Sequence, residues 1–279
     1  MNGTIVETAH AKVNLYLAVG GVRSDGYHEI VTFMRRISLA DELTMTFSPG
    51  NTPYVDLTAE GDPTPLGADN LIVRAAYAFF ERTGLACDLR VHLHKRIPSM
   101  AGLGGGSSDA AATLRGLNQW FGTPLSPDQL REVAAALGSD IPFFVTENAA
   151  ISYGRGEKLL SVPVSDAPFI VVVKGKETSS TSEAYRALDG SRAVVESPLT
   201  LPSDPSDLPF RNDFEAPISV LCPSVAEHLT KLRSFGATAA MMSGSGSAVF
   251  GIFPTERSAR DAAEQMGDGA FFCHMLADA

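Results

Sequence analysis

A glycine- and serine-rich run, I-P-S-M-A-G-L-G-G-G-S-S-D-A-A at positions 97–111, is the part of the sequence best suited to chemistry. Before it, Leu89 and Val91 alternate with polar residues, which predicts a strand. After it, Ala110 and Leu114 have helical spacing, which predicts a helix. Glycine lets backbone N–H groups converge on one ligand, and a helix N-terminus attracts anions. The run therefore predicts a phosphate-binding loop.

Two common phosphate loops do not fit this run. A Walker loop needs lysine where Gly106 stands, and a dinucleotide fingerprint needs glycine where Ser107 stands. We expect Ser107 or Ser108 to cap the helix, with Asp109 in its first turn. A flexible linker is the alternative, although a strand and a helix flank the run. The expected phosphate-binding residues are Gly102, Leu103, Gly104, Gly105, Gly106, Ser107 and Ser108.

Three further residues fit a transfer of phosphate to an alcohol. Lys12 and Asn14 share the polar face of an alternating strand, for which a solvated edge is the alternative. Asp140 lies between a helix end and an apolar, strand-like run, where partial burial is possible; a turn or cap role is the alternative. Phosphoryl transfer needs a proton acceptor and a cation near the reacting oxygen. Asp140 and Lys12 could supply them, although spacing alone does not bring them together.

Other polar and aromatic residues allow two interpretations each. Tyr27 and His28 follow an Asp-Gly turn and either cover the core or stack on a base. The segment Ser243–Ser247 is either a second close backbone approach to an anion or a plain hairpin turn. His92 and His94 share a strand face that we expect to be solvated rather than metal-binding.

Composition restricts the class of protein. The 279 residues are 44% hydrophobic, which favours two domains with a sizeable core. A net charge of −10 disfavours nucleic acid and anionic membranes as partners. The three cysteines form no C-x-x-C pair, so we expect reduced packing residues. No leader pattern or apolar stretch approaching about 18 residues is found, so we expect a cytoplasmic protein.

Local patterns predict the order of the elements. Strands occupy most of residues 4–57, Asn70 and Gly84 bound a helix, and Ser126 begins a capping box. From residue 168 onward, strands and helices alternate in the order expected of a split β-α-β sandwich with an antiparallel sheet. The Pro- and Ser-rich stretch 196–209 is interpreted as a surface loop within that domain.

The motifs together resemble a known family. P-S-M-A-G-L-G-G-G-S-S-D-A-A resembles the phosphate loop of the GHMP small-molecule kinases, while A-K-V-N-L-Y-L and M-S-G-S-G-S-A-V-F resemble their first and third motifs. The resemblance implies an α+β, two-domain kinase that uses ATP and Mg²⁺. A mixed α/β domain with a ribosomal-protein-S5-like sheet would cover 1–155 and a ferredoxin-like α/β sandwich 156–279. The active site would lie in the cleft between them.

Within the family, R-S-D-G-Y-H and G-S-D-I-P-F-F resemble members that phosphorylate a cytidine diphosphate conjugate in isoprenoid precursor biosynthesis. This implies Asp140 as general base, Lys12 as its partner, and Tyr27 and His28 at the cytosine with Tyr185 as a second ring. The other implied contacts are Asn14 and Thr181 at the methylerythritol part, Asn70, Leu71 and Lys95 at adenine, and Ser243, Gly244, Ser245 and Gly246 at the substrate.

Several points stay open at this level. No acidic Mg²⁺ ligand is identifiable, so ATP phosphates and water would hold most of the ion, with a loop serine as a further ligand. The expected partner is a small molecule, and the expected assembly is a monomer or weak homodimer. Homoserine-type or mevalonate-type kinases and a non-catalytic ligand sensor are the alternative functions; neither alcohol has a base to stack on Tyr27 and His28.

Overall fold

The computed structural model describes residues 2–191 and 208–278. The chain forms two compact units, called unit 1 and unit 2 below. Unit 1 comprises Met1–Ala11, Leu39–Ser99 and Gly104–Glu147, and unit 2 comprises Lys12–Ser38, Met100–Leu103 and Asn148–Ala279. The glycine loop thus contributes residues to both units. The single boundary after residue 155 that the resemblance implies stays a prediction.

Strands and helices cover most of the described residues. The strands are β1 (Gly3–Val22), β2 (His28–Ser48), β3 (Tyr54–Gly61), β4 (Asp88–Lys95), β5 (Ala149–Gly154), β6 (Lys158–Ser161), β7 (Phe169–Val173), β8 (Arg211–Asn212), β9 (Ala239–Met242), β10 (Val249–Phe253) and β11 (Ala270–His274). The helices are α1 (Leu71–Thr83), α2 (Gly105–Trp120), α3 (Pro127–Leu137), α4 (Ile141–Thr146), α5 (Thr181–Ser191), α6 (Glu215–Leu221), α7 (Pro223–Ser234) and α8 (Glu256–Met266).

In unit 1, β4 is paired on both sides. It runs antiparallel to the second half of β2, with Leu43 opposite Leu93, and parallel to β3, with Leu57 opposite Val91. The inward residues alternate along each strand, as the sequence predicted. Helix α2 adds Leu114 and other small or apolar side chains to the buried core. Burial of each large apolar side chain contributes about 1.5–3 kcal/mol.

In unit 2, four antiparallel strands form a sheet in the order β11-β7-β10-β9. Val249 lies opposite Val173 and Met242, so β10 is paired on both sides. Helices α5 to α8 contribute buried apolar residues to the same core as this sheet. The predicted split β-α-β sandwich is confirmed. The first half of β2 pairs with β5, β5 with β6, and β8 runs parallel to β1.

Helix caps agree with most of the local predictions. The Asn70 side chain accepts from the N–H of Ile72, and Gly84 ends α1 in a left-handed conformation. Ser126 and Gln129 form the predicted capping box of α3. Ser180 Oγ accepts from the N–H of Glu183 at the start of α5. These interactions span a few residues, which is why a sequence pattern can predict them.

Two local predictions were wrong. Helix α2 begins at Gly105, with Gly104 at the N-cap position and no capping side chain, so Ser107 and Ser108 lie inside the helix and Asp109 beyond its first turn. The left-handed backbone of Gly104, φ 72°, lets the chain enter the helix without a side-chain cap.

The apolar run after Asp140 is the short helix α4 rather than strand-like. A run of so few apolar residues shows neither a clear helical nor a clear strand period. Pro142 lies in the first turn of α4, where proline favours a helix start. The predicted surface loop at 196–209 lies almost entirely outside the described residues.

Two predictions from composition can be compared with the structure. Cys87, Cys222 and Cys273 are unbonded and buried, as expected of packing residues. Within residues 2–191 and 208–278, every helix is too short or too polar to cross a membrane.

Candidate active site

The phosphate-loop residues of unit 1 form the N-terminus of α2. In a helix the first N–H groups have no acceptor within the helix, and in α2 these include Gly105, Gly106 and Ser107. The carbonyl of Gly104 accepts from Ser108 N at 2.9 Å, which closes the first turn. With 16 residues behind it, this end of α2 carries the partial positive charge that favours an anion.

The same end of unit 1 lacks space for a side chain at Gly105. A Cβ added to Gly105 would lie 2.9 Å from Lys95 Nζ and 2.9 Å from Ile97 Cγ2. A Cβ on Gly106 would lie 3.7 Å from Leu71 Cδ1, which is ordinary contact. Glycine is therefore required at position 105, and neither Gly105 nor Gly106 has a side chain that would cover the backbone N–H groups. The structure also brings Leu71 and Lys95, both predicted at adenine, beside the loop; the adenine contacts themselves stay a prediction.

Lys95 belongs to a buried charge cluster that sequence analysis did not identify. Its Nζ contacts Asp41 Oδ2 in a short interaction and donates to Asp109 Oδ2 at 2.8 Å. Burial raises the pKa of Asp109 to about 7, since it outweighs the attraction of Lys95, and Asp41 adds repulsion. Burial alone would lower the pKa of Lys95, but the two carboxylates outweigh it and raise that pKa. Asp41, an acidic residue between the apolar residues Leu39 and Leu43 of β2, was the available signal.

Lys12 lies in unit 2 and is buried, as is Asn14, so the solvated-edge interpretation was wrong. Lys12 Nζ donates to Asn14 Oδ1 at 2.5 Å and to the carbonyl oxygen of Gly102 at 2.8 Å. The backbone N–H of Lys12 also donates to the carbonyl of Leu103 at 3.0 Å. The lysine is therefore held by its own strand and by Gly102 and Leu103, two of the loop residues that belong to unit 2.

The Ser243–Ser247 loop approaches Gly102 closely within unit 2. Ser243 Oγ donates to the Gly102 carbonyl at 3.0 Å. A Cβ on Gly244 would lie 3.1 Å from Lys12 Nζ. Asn212 Nδ2 donates to the carbonyls of Met242 and Gly244 at 2.8 Å each, and so supports this loop from behind. The loop joins β9 and β10 as a hairpin turn and also lies beside the lysine, so its two interpretations are compatible.

Thr32 is a second residue that sequence analysis did not identify. Asn14 Nδ2 donates to Thr32 Oγ1 at 2.8 Å, and Thr32 Oγ1 donates to the Tyr16 carbonyl at 2.7 Å. Both side chains are buried. Thr32 therefore fixes the amide so that Asn14 Oδ1 faces Lys12. A polar residue in the buried half of β2 was the only signal.

The predicted cytosine-binding rings fall in unit 2. His28 and Tyr185 are stacked, with ring centroids 4.9 Å apart and planes inclined by 17°. His28 Nδ1 lies 3.0 Å from the Gly20 carbonyl, and because a carbonyl only accepts, Nδ1 carries the proton. Tyr27 is 57% exposed, which excludes a cover over the core, and the Arg155 guanidinium lies 5.1 Å from its ring centroid.

The remaining predicted residues are also located. Thr181 Oγ1 lies 3.3 Å from Ser245 Oγ, so two predicted substrate residues are neighbours in unit 2. Asp140 is half-buried at the start of α4 in unit 1, and its side chain does not cap that helix. His92 is exposed and His94 is half-buried, and both lie beside Glu60. In the described part of the chain, no group of three or more His, Cys, Asp or Glu side chains is arranged to hold a metal ion.

Comparisons with known proteins agree with this architecture. Residues 70–148 match the family model of the GHMP kinases N-terminal domain, and residues 199–270 match that of the GHMP kinases C-terminal domain. The chain is 39% identical to a 4-diphosphocytidyl-2-C-methyl-D-erythritol kinase of Syntrophotalea carbinolica, over 92% of each chain. It is also 39% identical to the kinase of the same name from Moorella thermoacetica, over 92% of this chain and 93% of the relative.

Solved structures show the same fold. A crystal structure of 4-(cytidine 5'-diphospho)-2C-methyl-D-erythritol kinase superimposes with a TM-score of 0.81 at 34% identity, over 98% of this chain and 100% of the other. A homoserine kinase from Cytophaga hutchinsonii superimposes with a TM-score of 0.71 at 16% identity, over 98% and 95% of the two chains, and shares the fold alone. The chain belongs to the GHMP kinase family and is a small-molecule kinase.

Proposed function

We propose that the chain transfers the γ-phosphoryl group of ATP to the 2-hydroxyl of 4-diphosphocytidyl-2-C-methyl-D-erythritol, a step in isoprenoid precursor biosynthesis. The observation that carries this choice of substrate is the match to relatives of that name along about nine-tenths of the chain. Similarity to homoserine and mevalonate kinases, at 16% identity or less, extends to the fold alone.

The N-terminus of α2 is the proposed site for the phosphates of the nucleotide. The N–H groups of Gly105, Gly106 and Ser107 would bind them, because they have no acceptor within the helix and the two glycines carry no side chain that would keep the phosphates from the backbone. When bound, ATP supplies the phosphoryl group. Mg²⁺ prefers oxygen ligands and keeps several waters, so the phosphates would provide most of its coordination, with a loop serine as the proposed protein ligand.

Asp140 and Lys12 are the proposed catalytic residues. Asp140 accepts the proton of the substrate hydroxyl as the oxygen bonds to the γ-phosphorus. The bond between that phosphorus and the bridging β–γ oxygen breaks, and ADP leaves with the electron pair. The Lys12 ammonium stabilises negative charge on the acceptor oxygen. The Asp140 carboxylate makes no hydrogen bond that caps α4, so capping does not explain the presence of an aspartate at this position.

The rings in unit 2 are the proposed cytosine site. Tyr185 and Tyr27 offer flat faces to a base, and His28 is fixed by its bond to the Gly20 carbonyl. His28 Nε2 lies 3.4 Å from Asp189 Oδ2, so both ring nitrogens face groups of the protein, and the ring stacks on Tyr185. Thr181 and Ser245 are proposed to bind the methylerythritol part. Such a site discriminates against alcohols that lack a base.

Turnover of ATP to ADP tests this function. The purified protein with Mg²⁺ is assayed on the cytidyl substrate, homoserine and mevalonate. We expect turnover with the cytidyl substrate alone. Turnover with another alcohol would contradict the substrate, and binding of the cytidyl compound without turnover would favour the sensor. Asp140→Asn should lower kcat by about 10²–10⁴-fold. Asp128→Asn, at a carboxylate that is 83% exposed on α3, is the matched control.

Further variants test the roles of the catalytic residues and of the cytosine site separately. Lys12→Met, Asp140→Asn and their double variant form a double-mutant cycle. If both residues serve one step, the loss of kcat in the double variant is smaller than the product of the losses in the single variants.

Tyr185→Leu should raise KM for the cytidyl substrate about tenfold, because loss of stacking removes about 1–1.5 kcal/mol, with KM for ATP unchanged. Tyr54→Leu, at an exposed tyrosine of β3, is its control.

A further inference from the structure

Unit 1 buries three charged side chains that the proposed mechanism does not use. Lys95, Asp41 and Asp109, here called the charge cluster, are 5%, 1% and 3% exposed. They come from three elements: Lys95 ends β4, Asp41 lies in β2, and Asp109 lies in α2. Burying charged side chains costs free energy, so the presence of these three in unit 1 needs a physical explanation.

The charge cluster holds both ends of the segment between β4 and α2. Asp41 Oδ1 accepts from the N–H groups of Arg96 and Ile97, at 2.6 and 2.8 Å. Asp41 thereby fixes the chain where it leaves β4. Asp109 Oδ2 accepts from Lys95 Nζ at 2.8 Å and fixes the start of α2 to the end of β4.

The ammonium of the cluster lies directly against the start of α2. Lys95 Nζ would be 2.9 Å from a Cβ on Gly105, the residue with which α2 begins. The ammonium therefore lies beside the partial positive charge of the helix N-terminus, while its two carboxylate partners offset its charge beyond the immediate contact. Without its two carboxylate partners, a buried ammonium at this position would lose its proton or move towards water.

Stability does not account for this arrangement. Replacing buried ion pairs by apolar residues of similar volume is often neutral or stabilising. Asp109 Oδ1 is buried and, within the described residues, has no hydrogen-bond partner. Burial also raises the pKa of Asp109 to about 7, which is the expected result of an incompletely compensated carboxylate. The cluster thus keeps a carboxylate oxygen buried without a hydrogen-bond partner in the described part of the chain.

We propose that Asp109 and Asp41 are positioning residues for phosphoryl transfer, which hold the Lys95 ammonium against the start of α2. The charge of Lys95 and the N–H groups of α2 then act together on the phosphates of the nucleotide. This inference rests on the proposed function in that the bound anion is a nucleotide. It assigns Lys95 an electrostatic role at the phosphates, beyond the predicted contact at adenine.

Nucleotide binding tests this role without turnover. Titration calorimetry with AMP-PNP and Mg²⁺ gives Kd, and steady-state assays give KM for ATP and for the alcohol. Asp109→Asn should raise the AMP-PNP Kd and the ATP KM about tenfold and leave KM for the alcohol unchanged. Glu42→Gln is the matched control, because it removes one carboxylate at the next, exposed position of β2; wild-type values are expected.

A second variant separates positioning from folding. Lys95→Met with Asp109→Leu removes one buried charge of each sign and leaves Asp41 with its two backbone donors. We expect it to unfold in urea at the wild-type midpoint or higher, with the AMP-PNP Kd still raised tenfold or more. A folded double variant with wild-type Kd would overturn the inference. It is also overturned if no variant of the cluster folds, because stability would then explain the burial.

The two proposals fail differently. Wild-type protein that neither binds AMP-PNP nor turns over ATP would overturn the proposed function. Wild-type protein that binds and reacts, alongside an Asp109→Asn variant with the same Kd, would overturn only the role of the charge cluster.

Discussion

Lys12 Nζ donates a 2.8 Å hydrogen bond to the carbonyl oxygen of Gly102, 90 positions along the chain. Gly102 has a left-handed backbone, with φ 75°, and a Cβ on it would lie 2.1 Å from the Ser243 carbonyl oxygen. The position of the lysine ammonium therefore depends on a residue that only glycine fits.

The first prediction concerns Gly102→Ala. The left-handed backbone costs a non-glycine residue about 1–2 kcal/mol, and the contact with Ser243 adds about 1–3 kcal/mol. We expect the free energy of unfolding, measured in urea, to fall by roughly 2–5 kcal/mol. Gly26→Ala is the control, because Gly26 has φ 82° with nothing within 4 Å of its added Cβ. Equal losses in the two variants would contradict the close approach.

The second prediction concerns Thr32→Val, which keeps the shape and removes the hydroxyl. Asn14 Nδ2 would then be a buried donor without its acceptor, at a cost of about 1–3 kcal/mol in unfolding free energy. Because Asn14 also holds Lys12, kcat should fall while KM for ATP stays unchanged. Thr46→Val, at an exposed site of the same strand, should change neither quantity. An unchanged kcat in Thr32→Val would show that Thr32 does not act on turnover through Asn14 and Lys12.

The third prediction is a pH dependence of stability. His228 is buried, and burial lowers its pKa below 6.5; Lys176 and Lys231 lower it further, while Glu227 and Glu177 oppose them. Below about pH 6.5 the unfolded chain therefore binds more protons at His228 than the folded chain does. The contribution of the buried, neutral His228 to the free energy of unfolding is complete above that pH and is lost as the pH falls towards the folded pKa.

Urea unfolding of wild type and His228→Gln between pH 8 and pH 5 tests this sign. We expect the wild type to lose more stability than the variant as the pH falls. His92→Gln removes an exposed histidine and should behave as the wild type does. Parallel curves for wild type and His228→Gln would show that His228 does not couple folding to pH.

The fourth prediction concerns the Cys87 thiol. Burial, with a smaller effect of Asp88, raises its pKa to about 11. At pH 8 about one molecule in a thousand would carry the reactive thiolate. We expect iodoacetamide to leave Cys87 unlabelled in the native protein and to label it in guanidinium, as peptide mass spectrometry would show. Thr46→Cys, at an exposed site, is the positive control. Rapid native labelling of Cys87 would contradict its burial.

Short-range patterns explain how much of the fold was predictable. The strand before the glycine loop, the caps of α1 and α3, and the order of strands and helices in unit 2 all follow from periodicity and from residues a few positions apart. Prediction was wrong where a local pattern is compatible with two conformations. Gly104 begins α2 where a serine cap was expected, and a run too short to show a period forms α4.

The sequence by itself determined the glycine loop, its flanking strand and helix, and the chemical types of the candidate residues, because these are local properties of the chain. Only the tertiary structure decided that the polar face of β1 is buried, that Thr32 orients Asn14, and that Asp41 contacts Lys95. Asp41 and Lys95 are 54 positions apart. Contacts across such separations depend on how strands and helices pack together, which a pattern of neighbouring residues does not encode.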